Sequence, residues 1–203
     1  VITPTLNLEK ELWNKGFSHV CGLDEVGRGC FAGPVAVGAV IFPPGVVLPE
    51  GVADSKLLTP KKREKLAEQI KEVALAWKVA VIDVSHINEF GIGEATQMAF
   101  RKALRLLEVK VDFALIDAFF IKQLSRDIQK AVQGGDKICA SISAASIIAK
   151  VFRDALMADL HQKYPLYGFD KHKGYGTKDH RDAIKKYGLC EIHRTSFDLK
   201  KFL

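Results

Sequence analysis

A chain of 203 residues in which 48% of side chains are hydrophobic and 27% charged has the composition of an ordinary globular protein. That length fills one sizeable core without demanding a second, excludes disorder as the dominant state, and contains no apolar run long enough to span a bilayer. No basic, apolar leader opens the sequence, so a cytoplasmic location is expected, with no membrane partner.

In chain order, HVCGLD (19–24) reads as a first strand and PVAVGAVIF (34–42) as a second, joined through a glycine-rich triplet. The next element is a helix with a marked start: Thr59 can cap it, Pro60 suits the first helical position, and Leu66, Ile70 and Val73 form one apolar face. WKVAVIDV (77–84) predicts a strand. A helix over about 94–107 carries Ala95, Ala99, Ala103 and Leu107 at four-residue steps, a narrow seam for close packing.

VDFALID (111–117) is an apolar run ending in an acid, as expected of a buried strand whose carboxyl end opens onto a site. A long helix is predicted from about 143 to 163, with Ile147, Val151, Ala155 and Leu160 on roughly one side, ending before Pro165. YGFDKHKGYGT is expected to be loop, followed by a short helix over 177–187 that stops at Gly188. The sum is an α/β domain, residues 1–160, with a mostly helical extension over 161–203.

Charge is uneven. Residues 161–203 hold 10 basic and 5 acidic side chains of a chain whose net charge is +6. Interleaved with Tyr164, Tyr167, Phe169 and Tyr175, these cations suit a polyanion with stackable bases. A solvated tail with a few core aromatics is the competing reading. The four cysteines, Cys21, Cys30, Cys139 and Cys190, make no zinc-like spacing and read as small apolar side chains.

The most informative stretch is GLDEVGRG, residues 22–29. It is not a dinucleotide fingerprint: GRGCFAG is one residue too long for GxGxxG, and the segment after it has strand rather than helix character. No Lys-Ser or Lys-Thr follows to make a Walker loop. Asp24 and Glu25 would repel a phosphate by several kcal/mol where water is scarce. A divalent cation reverses that sign, since Mg²⁺ takes one or two carboxylates together with substrate phosphate oxygens. Asp117 ends another apolar strand, and Asp136 follows Gly134-Gly135 at the approach to a helix. If the four converge, two divalent ions would balance them in the arrangement that clamps attacking and leaving oxygens during phosphodiester hydrolysis. A surface turn in which Arg28 pairs with the two acids is the alternative.

Seven motifs occur in order: GLDEVGRG, ADSK (53–56), LID (115–117), GGD (134–136), SISAASIIAKVFRD (141–154), YGFDKHKGY (167–175) and HRTSF (193–197). Together they resemble bacterial ribonuclease HII, over about residues 19–197. The resemblance implies a ribonuclease H-like fold, with a central mixed β-sheet flanked by helices, and an endoribonuclease; a monomer is expected. Its substrates would be RNA/DNA hybrids and duplex DNA bearing single ribonucleotides, cut on their 5′ side to leave 3′-hydroxyl and 5′-phosphate ends.

The same resemblance implies that Asp24, Glu25, Asp117 and Asp136 are catalytic and hold two Mg²⁺ or Mn²⁺ ions. Gly27, Arg28 and Gly29 would read the ribose 2′-hydroxyl, and Tyr175 would stack on the sugar at the RNA-to-DNA junction. Lys56 is expected to touch substrate. Arg194 and Ser196 would position the backbone, with capping or packing as an equal alternative. One departure stands out: Gln133-Gly134 replaces a basic residue found before glycine-aspartate in many relatives.

Three further groups carry weaker signals. Lys61, Lys62 and Arg63 oppose the dipole of the helix they start and would suit a phosphate, with an exposed charged face screened by water as the equal alternative. His172 and His180 are expected to meet phosphate or solvent. The small residues Ser141, Ser143, Ala144, Ala145 and Ser146 would let the long helix pack tightly. A DNA-cutting nuclease of the same superfold and a non-catalytic binding module remain rival functions.

Overall fold

The computed structural model describes residues 3–52 and 58–203. Five strands form one mixed sheet: β1 (Val20–Val26), β2 (Val35–Ile41), β3 (Ala76–Ile82), β4 (Phe113–Asp117) and β5 (Gln129–Val132), in spatial order β3-β2-β1-β4-β5. The first three strands pair antiparallel, while β1 with β4 and β4 with β5 are parallel. The helices are α1 (Asn7–Asn14), α2 (Pro60–Val73), α3 (Val84–Leu106), α4 (Gly135–Ile138), α5 (Ala140–Lys163), α6 (Phe169–His172) and α7 (Lys178–Tyr187).

Alternation along the strands decides which helix covers which face. Cys21, Leu23, Val37, Ala39 and Ile41 pack with Ala95, Ala99, Phe100 and Ala103 of α3. Val40 and Phe42 pack with Ala144, Ala145, Ile147 and Ile148 of α5 and with Leu66 and Ile70 of α2. The alanine seam of α3 is fully buried as predicted.

Two glycines set how close α5 comes. A Cβ on Gly22 would lie 2.2 Å from the carbonyl carbon of Ser141, and one on Gly38 would lie 2.2 Å from the carbonyl oxygen of Ala145. Only bare backbone fits there. Beneath the same helix, Glu9 is fully buried and accepts the Ser141 N–H at 2.8 Å, placing a carboxylate at the first turn of α5, where the unsatisfied amides point.

Several boundaries differ from those predicted. β3 stops at Ile82, and α3 starts at Val84, ten residues early, because Gly91 (φ 77°, ψ 159°) kinks two helical stretches that share one run. That kink interrupts the apolar period on which the sequence reading relied. α5 begins at Ala140, and its buried face continues through Arg153 and Met157 rather than through the exposed Ala155. A buried arginine is invisible to a hydrophobic pattern. Thr59 and Thr177 do cap their helices, each hydroxyl accepting a backbone N–H at 3.4 Å, and Gly188 ends α7 as expected. α1, β5 and the one-turn helices α4 and α6 were not predicted; at four residues, β5 is too short for its period to register.

After α5 the chain folds back. Ala32, Met157, Tyr167 and Phe169 form a small core joining the C-terminal elements to the loop between β1 and β2.

Candidate active site

β1 delivers two acids to one cleft because it is a central strand ending in DEV. Asp24 projects on the face toward α5, opposite Gly38 in the register, where the close approach of α5 lets the Ser146 hydroxyl donate to its carboxylate. The parallel register of β1 and β4 runs to Leu23 opposite Ile116, so Asp24 and Asp117 stand one step further on in adjacent strands, whose usual spacing is about 4.8 Å. Asp117 Oδ1 accepts the N–H of Gly135 at 2.7 Å. That bond ties the end of β4 to the first turn of α4, which carries Asp136 and is entered through Gly134 in the left-handed region (φ 62°). The four predicted acids thereby line one cleft of ≈ 340 Å³, with Gly27, Arg28, Gly29, Arg63, Ser146, Lys150 and Tyr175 among its other walls.

The electrostatics of this arrangement are unfavourable for the acids alone. Burial pushes the Asp24 carboxyl up to about 8, with Glu25, Asp117 and Asp136 adding repulsion and Ser146 opposing it. Burial also raises Glu25 to about 6 against the attraction of Arg28. Arg28 is only a distant partner, 4.0 Å from Glu25, and its guanidinium lies over the Phe119 ring at 4.5 Å. The alternative of a surface turn therefore fails: both acids lie in a strand, and Asp24 is 7% exposed.

Among the described residues, no three carboxylate, imidazole or thiol groups already form a closed cation cage. Asp24 Oδ1 accepts the N–H of Glu25 at 2.8 Å, and Asp117 is drawn to Gly135. The donor set nevertheless fits a hard divalent cation: it is all oxygen, it is mutually repulsive, and Glu25 Oε2 is buried with no hydrogen-bond partner.

The glycine-rich loop is held from below by two fully buried arginines. Arg194 donates to the carbonyls of Gly33, Arg28 and Gly27 at 3.0, 2.8 and 2.7 Å. Arg153 donates to Pro34, Lys173 and Ala32 at 2.9, 2.9 and 3.3 Å. Gly27 is in the left-handed region (φ 85°), and a Cβ there would overlap the Arg153 guanidinium. A Cβ on Gly29 would enter open space, so its backbone faces the cleft unobstructed.

The remaining predicted residues divide. Tyr175 lines the cleft and is 39% exposed, with Lys150 Nζ 5.7 Å from its ring centroid. Lys56 lies outside the described residues. Ser196 donates its hydroxyl to the Ile87 carbonyl at 3.2 Å, away from the cleft-lining residues. Of the three cations at the start of α2, Arg63 turns toward the cleft and donates to Leu58 O at 2.8 Å, while Lys61 and Lys62 are exposed.

His180 is fully buried, which overturns its reading as a phosphate or solvent contact; His172 is half-buried against it. Lys150 and Arg153 were missed as site residues. Their one signal was the spacing of Ser146 and Lys150 by a single helical turn in a motif otherwise read as packing.

Comparison with known proteins bears on the fold and the family. The fold matches that of ribonuclease H2 from Pyrococcus horikoshii, with TM-score 0.76 and 28% identity over 91% of this chain and 96% of that one. It also matches ribonuclease HII in the Archaeoglobus fulgidus complex with PCNA, with TM-score 0.69 and 26% identity over 87% and 92%. The molecule is thus a hydrolase of the ribonuclease H class, and its substrates are RNA/DNA hybrids.

A sequence profile of ribonuclease HII matches residues 21–200, and the chain belongs to that family. It is 47% identical to ribonuclease HII of Caldicellulosiruptor bescii over 97% of this chain and 94% of the relative. It is 46% identical to that of Dehalococcoides mccartyi over 97% and 93%. Among the described residues, no helix is long and apolar enough to cross a membrane.

Proposed function

We propose that the chain is a monomeric cytoplasmic endonuclease that cuts the RNA strand of hybrids and also incises duplex DNA on the 5′ side of a single embedded ribonucleotide, leaving 3′-hydroxyl and 5′-phosphate ends. The observation that supports this reading is the convergence of Asp24, Glu25, Asp117 and Asp136 in one cleft beside a bare glycine backbone and an exposed tyrosine. The four carboxylates would hold two divalent cations, Mg²⁺ or Mn²⁺. When bound, such cations supply Lewis acidity toward an attacking water and a departing oxygen.

The protein's own groups do the rest. Ser146 fixes the rotamer of Asp24 by hydrogen bonding to it. Gly27, Arg28 and Gly29 present backbone to the ribose, and the 2′-hydroxyl is the group that distinguishes RNA from DNA there. Tyr175 offers a ring to the sugar at the junction. Lys150 and Arg63 bring positive charge to the phosphates. Lys56 would add a further substrate contact, Arg194 acts from beneath the glycine-rich loop as a support, and Ser196 braces the C-terminal segment against Ile87. The basic segment 161–203 serves as the substrate-binding extension of the catalytic domain, residues 1–160.

The test is incubation with Mg²⁺ and matched duplexes carrying zero, one or many ribonucleotides. Cleavage is expected only where ribose is present, and incision at a lone ribonucleotide is expected 5′ to it. Cleavage of all-DNA duplex would overturn the reading.

A further inference from the structure

Behind Tyr175 lies a cluster of three histidines whose tautomers follow from the bond between His180 and the Tyr175 carbonyl. His180 Nδ1 is 2.9 Å from the Tyr175 carbonyl, which can only accept, so Nδ1 carries the proton and Nε2 of the neutral ring is bare. His193 Nε2, 3.1 Å from that bare nitrogen, must then be the donor. Its own Nδ1 is left as acceptor and takes the Cys190 N–H at 2.9 Å, with the Cys190 thiol also facing it at 3.1 Å; the Cys190 carbonyl, 3.3 Å from the same nitrogen, is the longer contact and receives no proton from it in this arrangement. His172 stacks on His180 with ring centroids 4.4 Å apart. Its Nε2 donates to the Tyr167 carbonyl at 2.7 Å, and its Nδ1 accepts the Gly174 N–H at 3.2 Å.

Every nitrogen of the three rings is thereby used, and the chain of bonds ends on the substrate side. The Gly174 carbonyl accepts N–H groups of Phe31 and Ala32 at 2.8 and 3.3 Å, so the Tyr175 loop and the glycine-rich loop are joined. Phe31, Tyr167 and Phe169 close around the rings, which keeps water from substituting for a lost bond.

We propose that His193 and His180, with His172 stacked behind them, are positioning residues: the relay from Cys190 through His193 and His180 to the Tyr175 carbonyl sets where the tyrosine ring meets the sugar. This rests on the reading that Tyr175 contacts the ribonucleotide. The relay governs how well substrate is held, since none of its atoms touches the carboxylates.

Two measurements test it. Long-range proton–nitrogen spectra of the wild type are expected to report the Nδ1–H tautomer for His180 and the Nε2–H tautomer for His172 and His193; an Nε2–H form of His180 would overturn the relay. In His193→Asn the amide oxygen can still accept from Cys190 but cannot reach His180, whereas His193→Gln can place a donor near His180. Loss of that one buried bond is expected to raise KM for a duplex with one ribonucleotide by up to about tenfold. The same change is expected to move kcat by less than about threefold, with the Gln variant recovering most of the loss.

An unchanged KM in His193→Asn, or equal losses in both variants, would overturn positioning and leave packing alone. Should the Asn variant fail to fold, the tautomer spectrum of the wild type still decides the relay. A wild type that shows the expected tautomers but cleaves no ribonucleotide-containing duplex would refute the proposed substrate instead.

Discussion

Replacing Arg194 by lysine keeps the charge and tests whether the planar fork beneath the glycine-rich loop matters. The guanidinium is fully buried and bonds three carbonyls, those of Gly27, Arg28 and Gly33, at 2.7–3.0 Å. Burial lowers its pKa to about 10, which still leaves it charged at neutral pH. A lysine ammonium has a single nitrogen and can satisfy one of these widely separated acceptors well. Two charge-assisted bonds lost at roughly 1.5 kcal/mol or more each predict a destabilisation of about 3 kcal/mol. At about 3 °C per kcal/mol for a chain of this size, the melting temperature should fall by about 10 °C. The loop should loosen with it, so KM for a single-ribonucleotide duplex should rise about tenfold or more at a temperature where the variant remains folded. Thermal unfolding and steady-state kinetics at 20 °C check both. A melting temperature within about 2 °C of wild type together with an unchanged KM would show that the fork is not what holds the loop.

Gly38→Ala would push a methyl to 2.2 Å from the Ala145 carbonyl, forcing α5 off the sheet. A loss of about 1–3 kcal/mol in urea unfolding and slower cleavage are expected, because Ser146 withdraws from Asp24. Asp24→Asn should abolish cleavage while leaving binding largely intact. Mg²⁺ at a hundredfold excess over Kd, which should stabilise the wild type by about 2.7 kcal/mol and raise its melting temperature, should leave the variant unmoved, and an equal rise in both would dismiss Asp24 as a ligand. Tyr175→Ala should impair incision at a lone ribonucleotide more than cleavage of long hybrids; equal effects would count against stacking.

Burial lowers His193 to about 4, with His172 adding to it and only the Cys190 carbonyl, which could accept from a charged ring, opposing it; the folded protein thus resists a proton that the unfolded chain accepts below about 6.5. The stability from keeping this ring neutral is present above pH 6.5 and lost as pH falls toward 4. His180, lowered likewise to about 4 by burial with Tyr175, His172 and His193 around it, acts in the same direction. The stability of wild type relative to His193→Gln should therefore fall across that window, by about 3 kcal/mol at most. A difference independent of pH would mean that the ring is not held neutral.

The sequence by itself determined the elements whose signals are local: central strands written as apolar runs, helix starts marked by Thr59 and Thr177, the alanine seam of α3, and the stop at Gly188. It also marked the acids, because Asp24, Glu25 and Asp117 stand at the ends of buried strands where a carboxylate needs a reason to be. The start of α3 was hidden by the kink at Gly91, and β5 by its four-residue length. Tertiary structure alone decided three things. It brought Asp117 and Asp136 into one cleft with Asp24 and Glu25, distant in the chain, through the parallel pairing of β1 with β4 and the bond from Gly135 to Asp117. It buried Arg153, Arg194 and His180, polar side chains that no hydrophobic pattern places inside, and holds them there by carbonyls and rings from distant loops. It also joined the Tyr175 loop to the glycine-rich loop. Periodicity reports which way a side chain faces within its own element, whereas the partner that satisfies a buried polar group belongs to another, and only the folded chain brings the two together.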